Sequence, residues 1–176
     1  AKLSDASAPW AVVGGVGASA LTAFGGAADQ AAHSVQPGAH GGWVVRLPDV
    51  LGAVRSLWVG PREASEGLLG TLPALPAQVW PWLDVMSGVA RIQLPTVDQF
   101  VPQMINFEVI GGVNFKKGCY PGQEIVARSQ YRGTLKRRLH LAHSDAMASV
   151  GQEVFSADDP GQPAGLVANV APIRAS

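Results

Sequence analysis

The chain has 176 residues, 47% of them hydrophobic and 15% charged, a composition that favours a packed core over disorder. Its 13 basic and 13 acidic residues give zero net charge, which argues against direct nucleic-acid binding. No apolar run approaches the ~20 residues of a transmembrane helix and no signal-peptide pattern is present, so we expect a cytoplasmic protein without membrane contact.

The first half of the chain alternates short strands and helices, a pattern typical of an α+β domain. Apolar runs predict strands at residues 10–13, 43–47 and 54–59. Glycine and proline mark the ends of helices that we predict at residues 18–24, 61–69 and 80–86. We expect this domain to end at about residue 95.

The second half passes from an irregular segment to one helix and then to strands. Proline and glycine interrupt residues 96–118, so we predict no regular helix or strand in this segment. A helix is predicted at residues 121–132, because Pro121 suits its first turn and Gly133 follows its end. Strands are predicted at residues 135–142, 153–155 and 165–170. Three strands cannot close a barrel, so we expect an incomplete barrel and a chain that is a fragment.

A glycine pattern early in the chain fits a weak dinucleotide-binding fingerprint. Gly15, Gly17 and Ala20 have the required spacing between a strand and a helix. The fingerprint also needs an acidic residue about 20 positions further on, where this chain has His33-Ser34-Val35-Gln36. We therefore favour a tight turn over a cofactor site.

The four histidines indicate no metal site. His140 and His143 are three apart in a predicted strand, a spacing that points their side chains to opposite faces. His33 and His40 are predicted to lie in turns, and no carboxylate or thiol stands at ligand spacing beside any of the four.

Cys119 is the only cysteine, which excludes an internal disulfide. It lies just before the helix predicted from Pro121, where unpaired N–H groups and the helix dipole stabilise an anion. Lys116 and Lys117 add positive charge on the other side. Such surroundings favour a reactive thiolate. A lone cysteine is also commonly buried and inert, and the residues alone leave both interpretations open.

Basic residues are concentrated around this segment. Between residues 116 and 138 a single acid, Glu124, stands among seven basic residues: Lys116, Lys117, Arg128, Arg132, Lys136, Arg137 and Arg138. Glu124 and Arg128 have the spacing of an ion pair on a helix. The excess charge suits either an anionic ligand or a solvated face, and charge alone favours the solvated face.

The segment Lys117-Gly118-Cys119-Tyr120-x-Gly122-Gln123-Glu124, followed by Ile125-Val126-Ala127-Arg128, resembles the signature of the YgfZ family, which is related to the glycine-cleavage T-protein. The flanks resemble the family as well, with Gln99-Phe100-Val101-Pro102-Gln103 and Asn106 before the signature and Arg132-Gly133 and Lys136-Arg137 after it. The close resemblance covers roughly forty residues, and a weaker one extends over most of the chain.

The resemblance implies a T-protein-like fold of the α+β class, in which a ferredoxin-like folate-binding core is followed by an antiparallel β-barrel. We accordingly expect residues 1–95 to form part of the folate-binding domain and residues 96–133 to form a connecting segment with the signature. Residues 134–176 are expected to begin the barrel domain, which is truncated in this chain.

The resemblance also implies a function: a tetrahydrofolate-binding protein that supports iron–sulfur cluster assembly or repair in enzymes, including tRNA-modifying ones. Its partners are then a folate and iron–sulfur proteins. Cys119 and Lys117 are the implied catalytic residues, and Trp80 is the implied folate-binding residue. The other implied signature residues are Gly118, Tyr120, Gly122, Gln123, Glu124 and Arg128.

One departure from the T-protein pattern bears on the reaction. T-protein relatives carry Glu-Ala-Gly after the folate tryptophan, whereas this chain has Met86-Ser87-Gly88. A second interpretation of the resemblance is an aminomethyltransferase that transfers a one-carbon unit to tetrahydrofolate. The missing carboxylate disfavours this interpretation. In a third interpretation the protein is a non-enzymatic folate-sensing scaffold, and Cys119 is only structural.

Overall fold

The structure, a computed structural model, describes residues 3–118, 121–131 and 137–172. It divides the chain into two compact units, residues 1–80 and 81–176. Its helices and antiparallel sheets confirm the α+β class. None of the helices in the described ranges combines the length and apolar character needed to span a membrane.

The first unit is built on a four-stranded antiparallel sheet with the order β1-β4-β3-β2. Its strands are β1 (Trp10–Val16), β2 (Val35–Pro37), β3 (Trp43–Val50) and β4 (Ala53–Pro61). Helix α1 (Ala18–Ala23) follows β1, and helix α2 (Arg62–Leu69) follows β4 directly. A 3-10 helix at Ala39–Gly41 links β2 to β3.

One face of this sheet forms the core of the first unit. The register aligns Val13 with Trp58 and Trp58 with Val44, and α1 and α2 cover these side chains. Trp58 is fully buried, and its indole N–H donates to the carbonyl of Ala39 at 2.8 Å, so the burial leaves no unpaired donor. The other face bears exposed apolar side chains: Trp10, Val12, Val35 and Trp43.

Most elements predicted for this unit are confirmed. The strands at 10–13, 43–47 and 54–59 lie within β1, β3 and β4, and the helices at 18–24 and 61–69 match α1 and α2 to within a residue. Gly17, with φ +92°, forms the predicted turn before α1. Pro48 does not end β3 as expected, because β3 continues past an irregularity in its pairing with β4 to Val50. Strand β2 was not predicted.

The second unit combines short helices with one described hairpin. Helix α3 (Val79–Met86) includes the last residues of the first unit, and it confirms the helix predicted at 80–86. Two 3-10 helices follow at Leu94–Thr96 and Pro102–Ile105, then α4 (Gln123–Tyr131). Strands β5 (Glu153–Ser156) and β6 (Asp159–Leu166) form an antiparallel hairpin. A small core contains Ala90, Ile105 and Ala168, with Phe100, Phe107 and Leu139 packed against it.

Several predictions for the second unit are wrong in detail. The helix predicted at 121–132 begins two residues later, at Gln123, because Gly122 takes a positive φ of 81°. Residues 137–142, the described part of the strand predicted at 135–142, form no strand. The strand predicted at 153–155 is confirmed as β5, but its partner β6 ends at Leu166, so the strand predicted at 165–170 is misplaced. The 3-10 helices occupy part of a segment predicted to be irregular.

The described strands of the second unit do not close into a barrel. The boundaries predicted at residues 95 and 133, and the incomplete barrel, stay predictions.

Candidate functional site

The signature segment forms a loop followed by a helix. Its helix α4 places Glu124 in the first turn and Arg128 in the last turn, where each charge opposes the helix dipole. Val126 is the buried residue of α4, whereas Glu124 and Arg128 are exposed. Cys119 and Tyr120, the centre of the signature, lie outside the described residues.

Two contacts hold the loop before Cys119. The backbone N–H of Lys116 donates to the side-chain oxygen of Asn114 at 2.8 Å. The ring of Phe115 meets the ring of Tyr131 edge to face, with centroids 6.0 Å apart. Because Tyr131 ends α4, this contact fastens the start of the loop to the far end of the helix.

The structure describes only part of the predicted charge cluster. Lys116, Lys117 and Arg128 are exposed, but Arg132 and Lys136 lie outside the described residues. Arg137 donates to the carbonyl of Pro163 at 3.0 Å, and Arg138 is paired with Glu108. The ion pair suggested by the spacing of Glu124 and Arg128 does not form between these two described residues.

A partly buried polar network connects to α4. Gln103, in the 3-10 helix Pro102–Ile105, is fully buried and donates its amide N–H to the carbonyl of Val126 at 2.7 Å. The guanidinium of Arg138 donates to the carbonyl of Gln103 at 3.1 Å and to the side-chain oxygen of Asn106 at 3.3 Å. The amide N–H of Asn106 donates to the carbonyl of Leu139 at 3.0 Å.

Glu108 completes this network through its ion pair with Arg138. Desolvation of the mostly buried Glu108 carboxylate opposes its ionisation, but the hydrogen bond and positive charge of Arg138 outweigh it, and the pKa of Glu108 lies below its ordinary value. Sequence reasoning noted Gln103 and Asn106 only as family flanks and gave them no role, since nothing local indicates partners 23 to 35 residues away.

The predicted folate residue, Trp80, is half-buried in the first turn of α3. Its six-membered ring approaches the backbone of β1 so closely that a Cβ at Gly14 would lie 2.7 Å from it. The guanidinium carbon of Arg55 lies 5.8 Å from the ring centroid, within the range of a cation–π contact. Gly14 and Arg55 both lie on the sheet face away from the core. An indole in this position has a polar, positively charged neighbour.

The glycine fingerprint has a packing explanation. A Cβ at Gly15 would lie 2.5 Å from the ring of Phe24, so this glycine makes room for the core. Helix α1 has only six residues.

In the described ranges, no group of three His, Cys, Asp or Glu side chains is arranged to hold a metal ion.

Comparison with known proteins finds several relatives that carry the same name. A "tRNA-modifying protein YgfZ" of Cronobacter sakazakii is 37% identical over 130 residues, which cover 61% of this chain and 40% of that protein. Proteins of the same name from Edwardsiella ictaluri and Photobacterium profundum are 46% identical over 67 residues and 38% identical over 91 residues. These matches cover 38% and 48% of this chain, and 20% and 28% of the respective relatives.

No protein-family model matches the chain, and no solved structure does. The chain matches at most 40% of the length of these relatives. The similarity nevertheless agrees with the resemblance carried by the segment from Lys117 to Arg128, and both support membership of the YgfZ family.

Proposed function

We propose that this chain is part of a tetrahydrofolate-binding protein that supports the assembly or repair of iron–sulfur clusters in enzymes, including enzymes that modify tRNA. The observation that carries the proposal is the signature segment. Its flanking residues are anchored by a buried hydrogen bond of Gln103 and a partly buried one of Asn106, while its charged residues Lys117, Glu124 and Arg128 are exposed. The name of its relatives, tRNA-modifying protein, supports the link to tRNA modification.

In this proposal Cys119 acts as a thiolate nucleophile or ligand toward a partner protein or a cluster intermediate, and Lys117 assists it. The positive charges of Lys116 and Lys117, both exposed and close in sequence, favour the ionised sulfur. Tyr120 belongs to the same signature, whose glycines Gly118 and Gly122 are exposed, and a glycine at 122 permits the positive φ that precedes α4.

Trp80 is the proposed contact for the pterin ring of the folate. A flat indole suits stacking on a heterocycle. The guanidinium of Arg55 lies against the same ring in a cation–π contact. The corresponding fold is a T-protein-like, ferredoxin-like folate-binding core followed by the start of a β-barrel.

A titration of tetrahydrofolate against Trp80→Ala tests the folate site. Loss of one stacking aromatic is expected to weaken binding by about 1–3 kcal/mol, or roughly 5- to 150-fold. Trp82→Ala, in the same helix, is the matched control and is expected to bind with the native affinity. If Trp80→Ala stays within twofold of the native affinity, Trp80 is not the folate contact.

Alkylation and replacement of Cys119 test the chemistry. Because it is the only cysteine, iodoacetamide uptake followed by mass spectrometry reports on this thiol alone. A thiolate of the proposed kind reaches its maximal alkylation rate below the ordinary thiol pKa of ~8.5, and tetrahydrofolate slows the reaction. Cys119→Ser should fold and bind folate normally yet fail to restore iron–sulfur enzyme activity in cells. A fully active serine variant would favour the folate-sensing scaffold.

The structure gives one observation against the aminomethyltransferase alternative. Met86 stands where the T-protein pattern has its glutamate, and the nearest acid of α3, Asp84, forms an ion pair with Arg91 at 2.7 Å. Transfer of a one-carbon unit from a lipoyl-bound donor to tetrahydrofolate, measured with the purified protein, would restore that alternative.

A further inference from the structure

Gln103 is a buried polar residue that the proposed function leaves without a role. Its side chain is fully buried, and its amide N–H donates to the carbonyl of Val126 in the middle of α4 at 2.7 Å. Its side-chain oxygen is also buried and has no hydrogen-bond partner among the residues that the structure describes. A buried acceptor without a donor lowers stability, so an apolar side chain of similar size would serve packing better at this position.

The backbone around Gln103 connects α4 to a second segment. Arg138 donates to the carbonyl of Gln103, and the amide of Asn106, three residues further on, donates to the carbonyl of Leu139. The turn from Pro102 to Asn106 therefore bonds both to α4 and to residues 138–139. These bonds join residues that are 23 to 35 positions apart in the sequence. They therefore hold together segments that lie before, within and after the signature.

Helix α4 in turn holds the signature. Glu124 and Arg128 lie on α4, and Phe115 at the start of the signature loop contacts Tyr131 at the end of the same helix. Any rotation of α4 about Val126 therefore moves both charged residues and the start of the loop. A directional hydrogen bond to the carbonyl of Val126 resists that rotation, whereas apolar packing of the Val126 side chain does not select one orientation as strictly.

We propose that Gln103 is a positioning residue for the signature: its hydrogen bond to the carbonyl of Val126 fixes the orientation of α4, and with it Glu124 and Arg128, at a cost in stability. This inference rests on the proposed function for its cellular consequence, but the orientation itself is measurable without it.

Two matched variants separate the hydrogen bond from the packing. Gln103→Met keeps the volume and removes the bond. Val126→Ala removes packing at the same contact and keeps the bond, because the acceptor is a backbone carbonyl. If Gln103 positions α4, Gln103→Met retains or raises the unfolding midpoint in urea, yet amide hydrogen exchange in α4 becomes roughly 2- to 12-fold faster, as expected for loss of one hydrogen bond. The same variant should lower support of iron–sulfur enzymes at least tenfold.

Val126→Ala should show the reverse order, with a lower unfolding midpoint and retained function per folded molecule. If function instead follows the unfolding midpoint in both variants, or if Gln103→Met leaves exchange in α4 unchanged, the positioning role is refuted. Should exchange respond as expected while the native protein itself gives no support to iron–sulfur enzymes in cells, the positioning of α4 stands and the proposed function fails.

Discussion

The close approach of Trp80 to β1 gives a quantitative prediction for Gly14→Ala. The added Cβ would lie 2.7 Å from the nearest ring carbon of Trp80, whereas carbon atoms in contact are ~3.5–4.0 Å apart. Either the ring or β1 must therefore move by about 1 Å. Overpacking of this kind costs about 1–3 kcal/mol, and moving the ring also weakens its cation–π contact with Arg55. We expect the free energy of unfolding to fall by about 1–3 kcal/mol.

A double-mutant cycle in urea denaturation assigns that cost to its cause. In a Trp80→Ala background the ring is gone, so Gly14→Ala should then cost less than about 0.5 kcal/mol. Gly67→Ala is the control, because Gly67 lies in α2 with open space around its Cβ position, and alanine should raise stability there by about 0.5–1 kcal/mol. An equal cost of Gly14→Ala in both backgrounds would show that Trp80 does not pack on β1 as described.

Two further substitutions test one contact in each unit. The pKa of Glu108 is lowered in the folded protein, so its pairing with Arg138 stabilises the fold above the ordinary carboxyl pKa, and this stabilisation is lost as the pH falls through the folded pKa. Glu108→Gln should therefore flatten the acid side of a curve of unfolding free energy against pH. An unchanged curve would contradict the pairing. A Cβ at Gly42 would lie 2.3 Å from the indole nitrogen of Trp58, so Gly42→Ala should lower the free energy of unfolding by about 1–3 kcal/mol in urea denaturation, and a native-like midpoint would rule out this contact.

The first unit was largely predictable because its apolar alternation coincides with burial. Val13, Val44 and Trp58 lie on one face of the sheet, as the period-2 pattern of their strands indicates. Strand β2 escaped prediction because it has three residues, one of them Pro37, and it forms only by pairing with β3. Pro48 was expected to end β3, but it falls where the pairing with β4 is irregular, and a proline is tolerated there.

The second unit was less predictable because long-range pairing overrides local preference. Strand β6 contains Pro160, Gly161 and Pro163, residues that argue against a strand, yet it pairs with β5 through an irregular register. The signature helix was predicted from Pro121 and Gly133, but its start depends on the conformation of Gly122. The hydrogen bonds of Gln103 could not be foreseen, since their partners are distant in sequence.

The signature and its flank divide into residues that the fold uses and residues that it leaves exposed. Val126 and Gln103 are buried at one contact, and their identity follows from packing and hydrogen bonding. Glu124 and Arg128 have the spacing to stabilise α4 by pairing, yet they do not pair with each other and both side chains are exposed. An exposed pair at this spacing would contribute only about 0.3–0.5 kcal/mol even if formed, so mutual pairing does not account for these residue types. In the proposed function their charges are therefore the ones presented to a folate or a partner protein, and the orientation of α4 decides where they point.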